Sequence, residues 1–79
     1  MNDMIDLVVH VAKALVDAPD EVHVEAIEGQ RGTVLELSVA KDDIGKVIGK
    51  DGRTAQAIRA VLSAASAKSG RRVQLDIVD

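Results

Sequence analysis

The residues best placed for chemistry lie in one run, Ile44-Gly45-Lys46-Val47-Ile48-Gly49-Lys50-Asp51-Gly52, followed by Arg53 and Ile58. Gly49 and Gly52 bracket two polar residues between helical patterns. Glycine adopts backbone angles closed to other residues and lets a ligand approach where a Cβ would obstruct it. The run opens into a helix N-terminus, where unpaired N–H groups and the helix dipole favour an anion. Lys50 places a mobile cation at the tip, a combination suited to a sugar-phosphate backbone. Ile44, Val47 and Ile48 can then floor an apolar groove for bases. A nucleoside-triphosphate loop does not fit. It needs four residues between its first glycine and the Gly-Lys pair and a Ser or Thr after it. Here three residues separate Gly45 from Gly49-Lys50, and Asp51 follows. The dinucleotide pattern Gly-x-Gly-x-x-Gly fails as well, because Gly45 and Gly49 are four apart.

Little else in the chain could do chemistry. The absence of cysteine removes disulfides, thiolate zinc sites and thiol nucleophiles. The absence of Phe, Trp and Tyr removes aromatic platforms for stacking bases. His10 and His23 stand thirteen positions apart with no carboxylate-and-serine arrangement beside them, and they read as surface residues. No catalytic residue, metal ligand or cofactor site is expected. Binding, not catalysis, is the indicated class.

The 79 residues suit a single domain spanning 1–79, with a modest core. The formal charge of −3 speaks against nucleic acid if taken alone. Residues 1–29, however, carry seven acids and one base, whereas residues 30–79 carry nine bases and six acids. The bases cluster at Lys46, Lys50, Arg53 and Arg59, and again at Lys68, Arg71 and Arg72. One face can therefore attract a polyanion although the total is negative; an ordinary mixed, solvated surface is the alternative. No apolar run is long enough to span a membrane, and the acidic start, Met1-Asn2-Asp3-Met4, lacks a signal-peptide pattern. A cytoplasmic protein is expected.

These residues need elements to position them. Residues 3–17 read as a helix, with Asn2 or Asp3 as its cap and Asp17-Ala18-Pro19 as its stop. Its polar residues Asp3, Asp6, His10, Lys13 and Asp17 form one narrow stripe. The remaining apolar arc is wider than one packing face needs, so a second surface is expected to cover part of it. Residues 21–28 and 33–40 alternate with period two around Gly29-Gln30-Arg31-Gly32 and read as a hairpin. Val22, Val24, Ala26, Leu35, Leu37 and Val39 should face the core, with Ile27 and Val34 as outward apolar exceptions. Asp42 or Asp43 caps a short helix to about Ile48. A second helix runs from about Arg53 to Lys68, with a core stripe of Ile58, Val61, Leu62 and Ala65, and stops at Gly70. Residues 72–78 form the last strand. The predicted class is α+β, ordered α-β-β-α-α-β, with helices on one face of a three-stranded mixed sheet.

Val47-Ile48-Gly49-Lys50-Asp51-Gly52, with Ile44-Gly45 before and Ile58 after, resembles the KH-domain signature and its G-x-x-G loop. The preceding helix and hairpin resemble the prokaryotic, type II arrangement. The whole chain is most similar to the small bacterial single-KH RNA-binding proteins of the KhpA type. The resemblance implies that about four nucleotides of single-stranded RNA lie in a groove, with the loop clamping the backbone. Gly49, Lys50, Asp51 and Gly52 would form the clamp, and Arg53 would reach a neighbouring phosphate. Ile44, Val47 and Ile48 would line the groove beside the cationic Lys46. Lys68-Ser69-Gly70-Arg71-Arg72 would form the opposite wall, with base edges read by residues 72–76. Asp51 departs from more basic loops and should weaken phosphate attraction. Gly49 and Gly52 also suit a tight helix-helix turn, and Arg71 and Arg72 a solvated strand start. The implied role is an RNA chaperone or post-transcriptional regulator. The alternative is a protein-interaction module, pairing as a homodimer or with a larger KH-containing partner. It is motivated by the first helix's wide arc and by the small-residue row Ala57, Ala60, Ala64 and Ala67.

Overall fold

A period-two apolar pattern needs something to cover its inner face, and three helices provide it. The computed structural model describes residues 2–68 and 70–78. Helix α1 (Asn2–Leu15) leads into strands β1 (His23–Glu28) and β2 (Gly32–Ser38). Helices α2 (Ile44–Ile48) and α3 (Arg53–Ala67) follow, and strand β3 (Arg72–Val78) closes the chain. β2 is the central strand, antiparallel to β1 and parallel to β3. The order and mixed sheet are those of a type II KH fold, as expected.

The core lies between the helices and one sheet face, where Val8, Ala12, Leu35, Leu37, Val47 and Leu62 are fully buried. Strand phase follows the sequence pattern. Val22, Leu35, Leu37, Val73 and Leu75 point inward, and Ile27 stays 46% exposed on the open face. Val24, Ala26 and Val39 are only half-buried. Gly32 is required where β2 meets β3, since a Cβ there would lie 3.0 Å from the Arg72 carbonyl carbon.

Several boundaries and contacts differ from expectation. α1 ends at Leu15, not 17, because the residue before Pro19 is driven out of helical geometry; Ala18 sits at φ −116° and ψ 75°. A 3₁₀ turn, Pro19–Glu21, takes in Glu21, and β1 begins at His23 instead of residue 21. Asp3 lies inside α1 and is a first-turn acid, not its cap, and the Asn2 side chain lies outside the described part. Asp43 precedes α2 but makes no side-chain cap bond. On α3 the buried stripe is Ala55, Ile58, Leu62 and Ser66. Val61 is 50% exposed and Ala65 exposed, contrary to the expected stripe. Ser66 tolerates burial because its hydroxyl donates to the Ser63 carbonyl at 3.1 Å. No described helix is long and apolar enough to cross a membrane.

Candidate nucleic-acid interface

The glycine run folds into a tight turn between two helices. Gly49 N–H closes α2 on the Gly45 carbonyl at 2.9 Å, and Gly52 N–H donates to the Gly49 carbonyl at 3.1 Å. Gly49 (φ 79°) and Gly52 (φ 74°) both need positive φ, and Asp51 (φ 58°) adopts it as well. Lys50 and Asp51 are left exposed at the tip. Gly52 occupies the cap position of the fifteen-residue α3 without a side-chain cap bond. The positive end of the helix dipole thus opens at the loop, with Lys50 and Arg53 beside it.

The flanking α2 separates two roles that its sequence could not. Val47 is fully buried in the core and offers a ligand no surface, which corrects its assignment to the groove. Ile48 is 37% exposed and Ile44 half-buried. Four residues apart, they share one helix face. Apart from its chain neighbours and the helix's own backbone, no described atom lies within 4 Å of where a Gly45 Cβ would sit, so that part of α2 is open.

Lys46 is not a free cation. Its ammonium lies 2.8 Å from Asp17 and 3.1 Å from Asp43, tying α2 to the segment after α1. Its side chain nevertheless remains 43% exposed, so a nucleic acid would have to compete with these carboxylates for it. Asp43 is 2% exposed, and its second oxygen accepts the Ala18 N–H at 3.1 Å. Burial pushes the Asp43 carboxyl up. The Lys46 hydrogen bond and the Ala18 and Asp17 amides outweigh that and hold it below its ordinary 3.8. Hydrogen bonds to Asp17 and Asp43 raise Lys46 above its ordinary 10.5. Asp43 and Lys46 stand three positions apart, but nothing local in the sequence marks Asp17, which is 29 positions from Lys46.

Across α3 lies the free edge of β3. The Leu75 carbonyl points out of the sheet there and accepts the Arg59 Nε–H at 3.3 Å. Arg59, Ser63, Arg72 and Gln74 border a depression of about 410 Å³ along this edge. Arg71 and Arg72 are exposed, Gly70 turns the chain at φ 77°, and Ser69 lies outside the described residues. The structure thus gathers Gly49, Lys50, Asp51, Gly52 and Arg53 into one exposed turn, with Ile44 and Ile48 on the preceding helix. Arg59 was visible in the sequence only as one more charge.

Known proteins resemble this chain in sequence and in fold. The family model described as "KhpA/KhpB, KH domain" matches residues 5–77. The chain is 52% identical over 75 residues to RNA-binding protein KhpA of Borreliella burgdorferi, covering 95% of this chain and 92% of that one. It is 56% identical over 73 residues to the Halalkalibacterium halodurans protein of the same name, covering 92% and 96%. With the Bacillus subtilis protein, identity is 50% over 74 residues, covering 94% and 91%. These relatives are named for RNA binding, not for an enzymatic activity. Among solved structures, Aquifex aeolicus Era superposes with a TM-score of 0.62 at 22% identity, over 94% of this chain and 29% of that one, a likeness of fold alone. The signature loop, the α-β-β-α-α-β order and the family match over 5–77 agree: the chain belongs to the KhpA/KhpB KH-domain family.

Proposed function

We propose that this chain, as a single KH domain over residues 1–79, binds single-stranded RNA with low sequence specificity. It would act in the cytoplasm as an RNA chaperone or post-transcriptional regulator. The Gly49–Gly52 turn holds a backbone phosphate, assisted by Lys50 and Arg53. Ile44 and Ile48 supply apolar surface for bases, and the β3 edge with Arg71 and Arg72 forms the far wall. One observation carries the reading: an exposed turn with two positive-φ glycines opens onto a helix N-terminus that lacks a side-chain cap. Relatives at 50–56% identity are named RNA-binding proteins, which supports it. One small module makes few phosphate contacts, so micromolar affinity with clear salt dependence follows. Titration of labelled single-stranded RNA with wild type and Lys50→Asp across a salt series tests this. Loss of binding in the variant supports the clamp, and equal affinity overturns it.

A second reading, compatible with the first, is pairing with another copy or a larger KH-containing partner. Leu7, Val11, Leu15, Ala57, Ile58 and Val61 border an apolar groove of about 260 Å³ between α1 and α3, and Val61 is half-exposed. Sedimentation that finds only monomer at high micromolar concentration removes self-association.

A further inference from the structure

The cationic edge does not stop at the α3–β3 depression. A second hollow, of about 300 Å³, opens at the hairpin end of the sheet and is bordered by Arg31, Gly32 and Val34. Arg72 and Gln74 border both hollows, so the two adjoin across β3. Gly32 pairs in register with Arg72, and its missing side chain lets the two strands meet there. Arg31 is therefore the next residue along the surface from Arg72.

Charge on the open sheet face gives this path a direction. The outward residues of β3 are Arg72, Gln74 and Asp76 in order. Asp76 pairs with Glu36, which pairs with Glu25, so one end of the open face carries three carboxylates in a row. A polyanion crossing β3 at that end is repelled; at the other end it meets Arg72 and then Arg31. Arg59 spends one of its five N–H donors on the Leu75 carbonyl and keeps the others for phosphate.

We propose that RNA longer than the four nucleotides of the groove continues past Arg59 and Arg72 and places a phosphate on Arg31 at the hairpin turn. This extends the RNA-binding reading above and rests on it. Its chemistry is a backbone contact without base readout, so it adds affinity and not sequence preference.

Labelled RNAs of 4 and 12 nucleotides, titrated with wild type, Arg31→Gln and Lys50→Asp, test it. A longer strand also offers more binding registers, so the informative quantity is the ratio between variants on the same RNA. Arg31→Gln is expected to weaken the 12-mer about threefold to tenfold and leave the 4-mer unchanged. The slope of log affinity against log salt for the 12-mer should fall by about 0.7, one single-strand phosphate contact. Arg31→Gln affecting neither RNA, or both equally, overturns the extended path. Lys50→Asp leaving both RNAs unaffected overturns the clamp instead, so the two failures are distinguishable.

Discussion

Gly49 rests against Thr54 so closely that a β-carbon on the glycine would come within 2.6 Å of the Thr54 β-carbon and 2.8 Å of its amide nitrogen. The second glycine of the turn differs, as no described residue beyond its chain neighbours lies within 4 Å of a Cβ at Gly52. Backbone angles sharpen the contrast. Gly49, at φ 79° and ψ 172°, occupies a region reserved for glycine, whereas Gly52, at φ 74° and ψ 11°, is left-handed helical.

Gly49→Ala is therefore expected to cost about 3 kcal/mol, combining backbone strain with a clash that α3 cannot relieve. Gly52→Ala should cost about 1 kcal/mol, and Gly52→Asn less, because asparagine tolerates the left-handed region. Without aromatic residues the chain has no intrinsic fluorescence to follow, so urea unfolding monitored by helical circular dichroism is the measurement. Equal costs at the two glycines would contradict the Thr54 contact.

Local patterns in the sequence foretold much of this fold. Period two placed Leu35, Leu37, Val73 and Leu75 of β2 and β3 inward, as observed, and Val22, just before β1, is buried with them. The glycine spacing marked the turn. Three kinds of information were not local. Val47 and Ile48 are neighbours on a five-residue helix, where periodicity cannot choose the buried one. Val61 is apolar, yet α3 turns only its 55-58-62-66 face to the sheet, so Ser66 is buried and Val61 half-exposed. Lys46 looked like an unpaired surface cation because Asp17, one of the two acids that hold it, is brought there by how α2 docks beside the end of α1.

Asp51 puts a negative charge where a phosphate is expected, at a left-handed backbone position that aspartate and asparagine both accept. Asp51→Asn should leave stability within about 0.5 kcal/mol. RNA affinity should rise several-fold at low salt, and the gain should shrink as salt screens the removed repulsion. Titrations at two ionic strengths check this, and an affinity that is unchanged at low salt argues against a phosphate beside residue 51.

The Asp43–Lys46 pair gives the junction of α1 and α2 a defined pH response. Asp43 is held below its ordinary 3.8 in the folded chain, so its stabilisation is complete above that value and lost as pH falls through the lower folded pKa. Lys46 is raised above 10.5, so its part is complete below that value and lost as pH rises through the higher folded pKa. Asp43→Asn keeps an acceptor for the Ala18 amide but cannot titrate. The stability difference between wild type and this variant, measured from pH 7 to pH 2.5, is expected to narrow below about pH 3.8. A constant difference would show that the charge of Asp43 contributes nothing.

Thr33 is 1% exposed on the inner face of β2, and its hydroxyl has no hydrogen-bond partner among the described residues. A buried hydroxyl without a partner forfeits its hydration with nothing in return. Its branched shape, by contrast, suits both strand geometry and the packing beside Val73, its register partner on β3. Thr33→Val keeps that shape and removes the polar atom, so it should stabilise by about 1 kcal/mol, a rise of roughly 4–8 °C in melting temperature for a domain of this size. Thr33→Ser keeps the hydroxyl and deletes the methyl, so it should destabilise by about 1 kcal/mol. Opposite signs for the two substitutions in thermal unfolding identify the hydroxyl as the unfavourable group. Destabilisation by both would mean that the hydroxyl is hydrogen-bonded in solution.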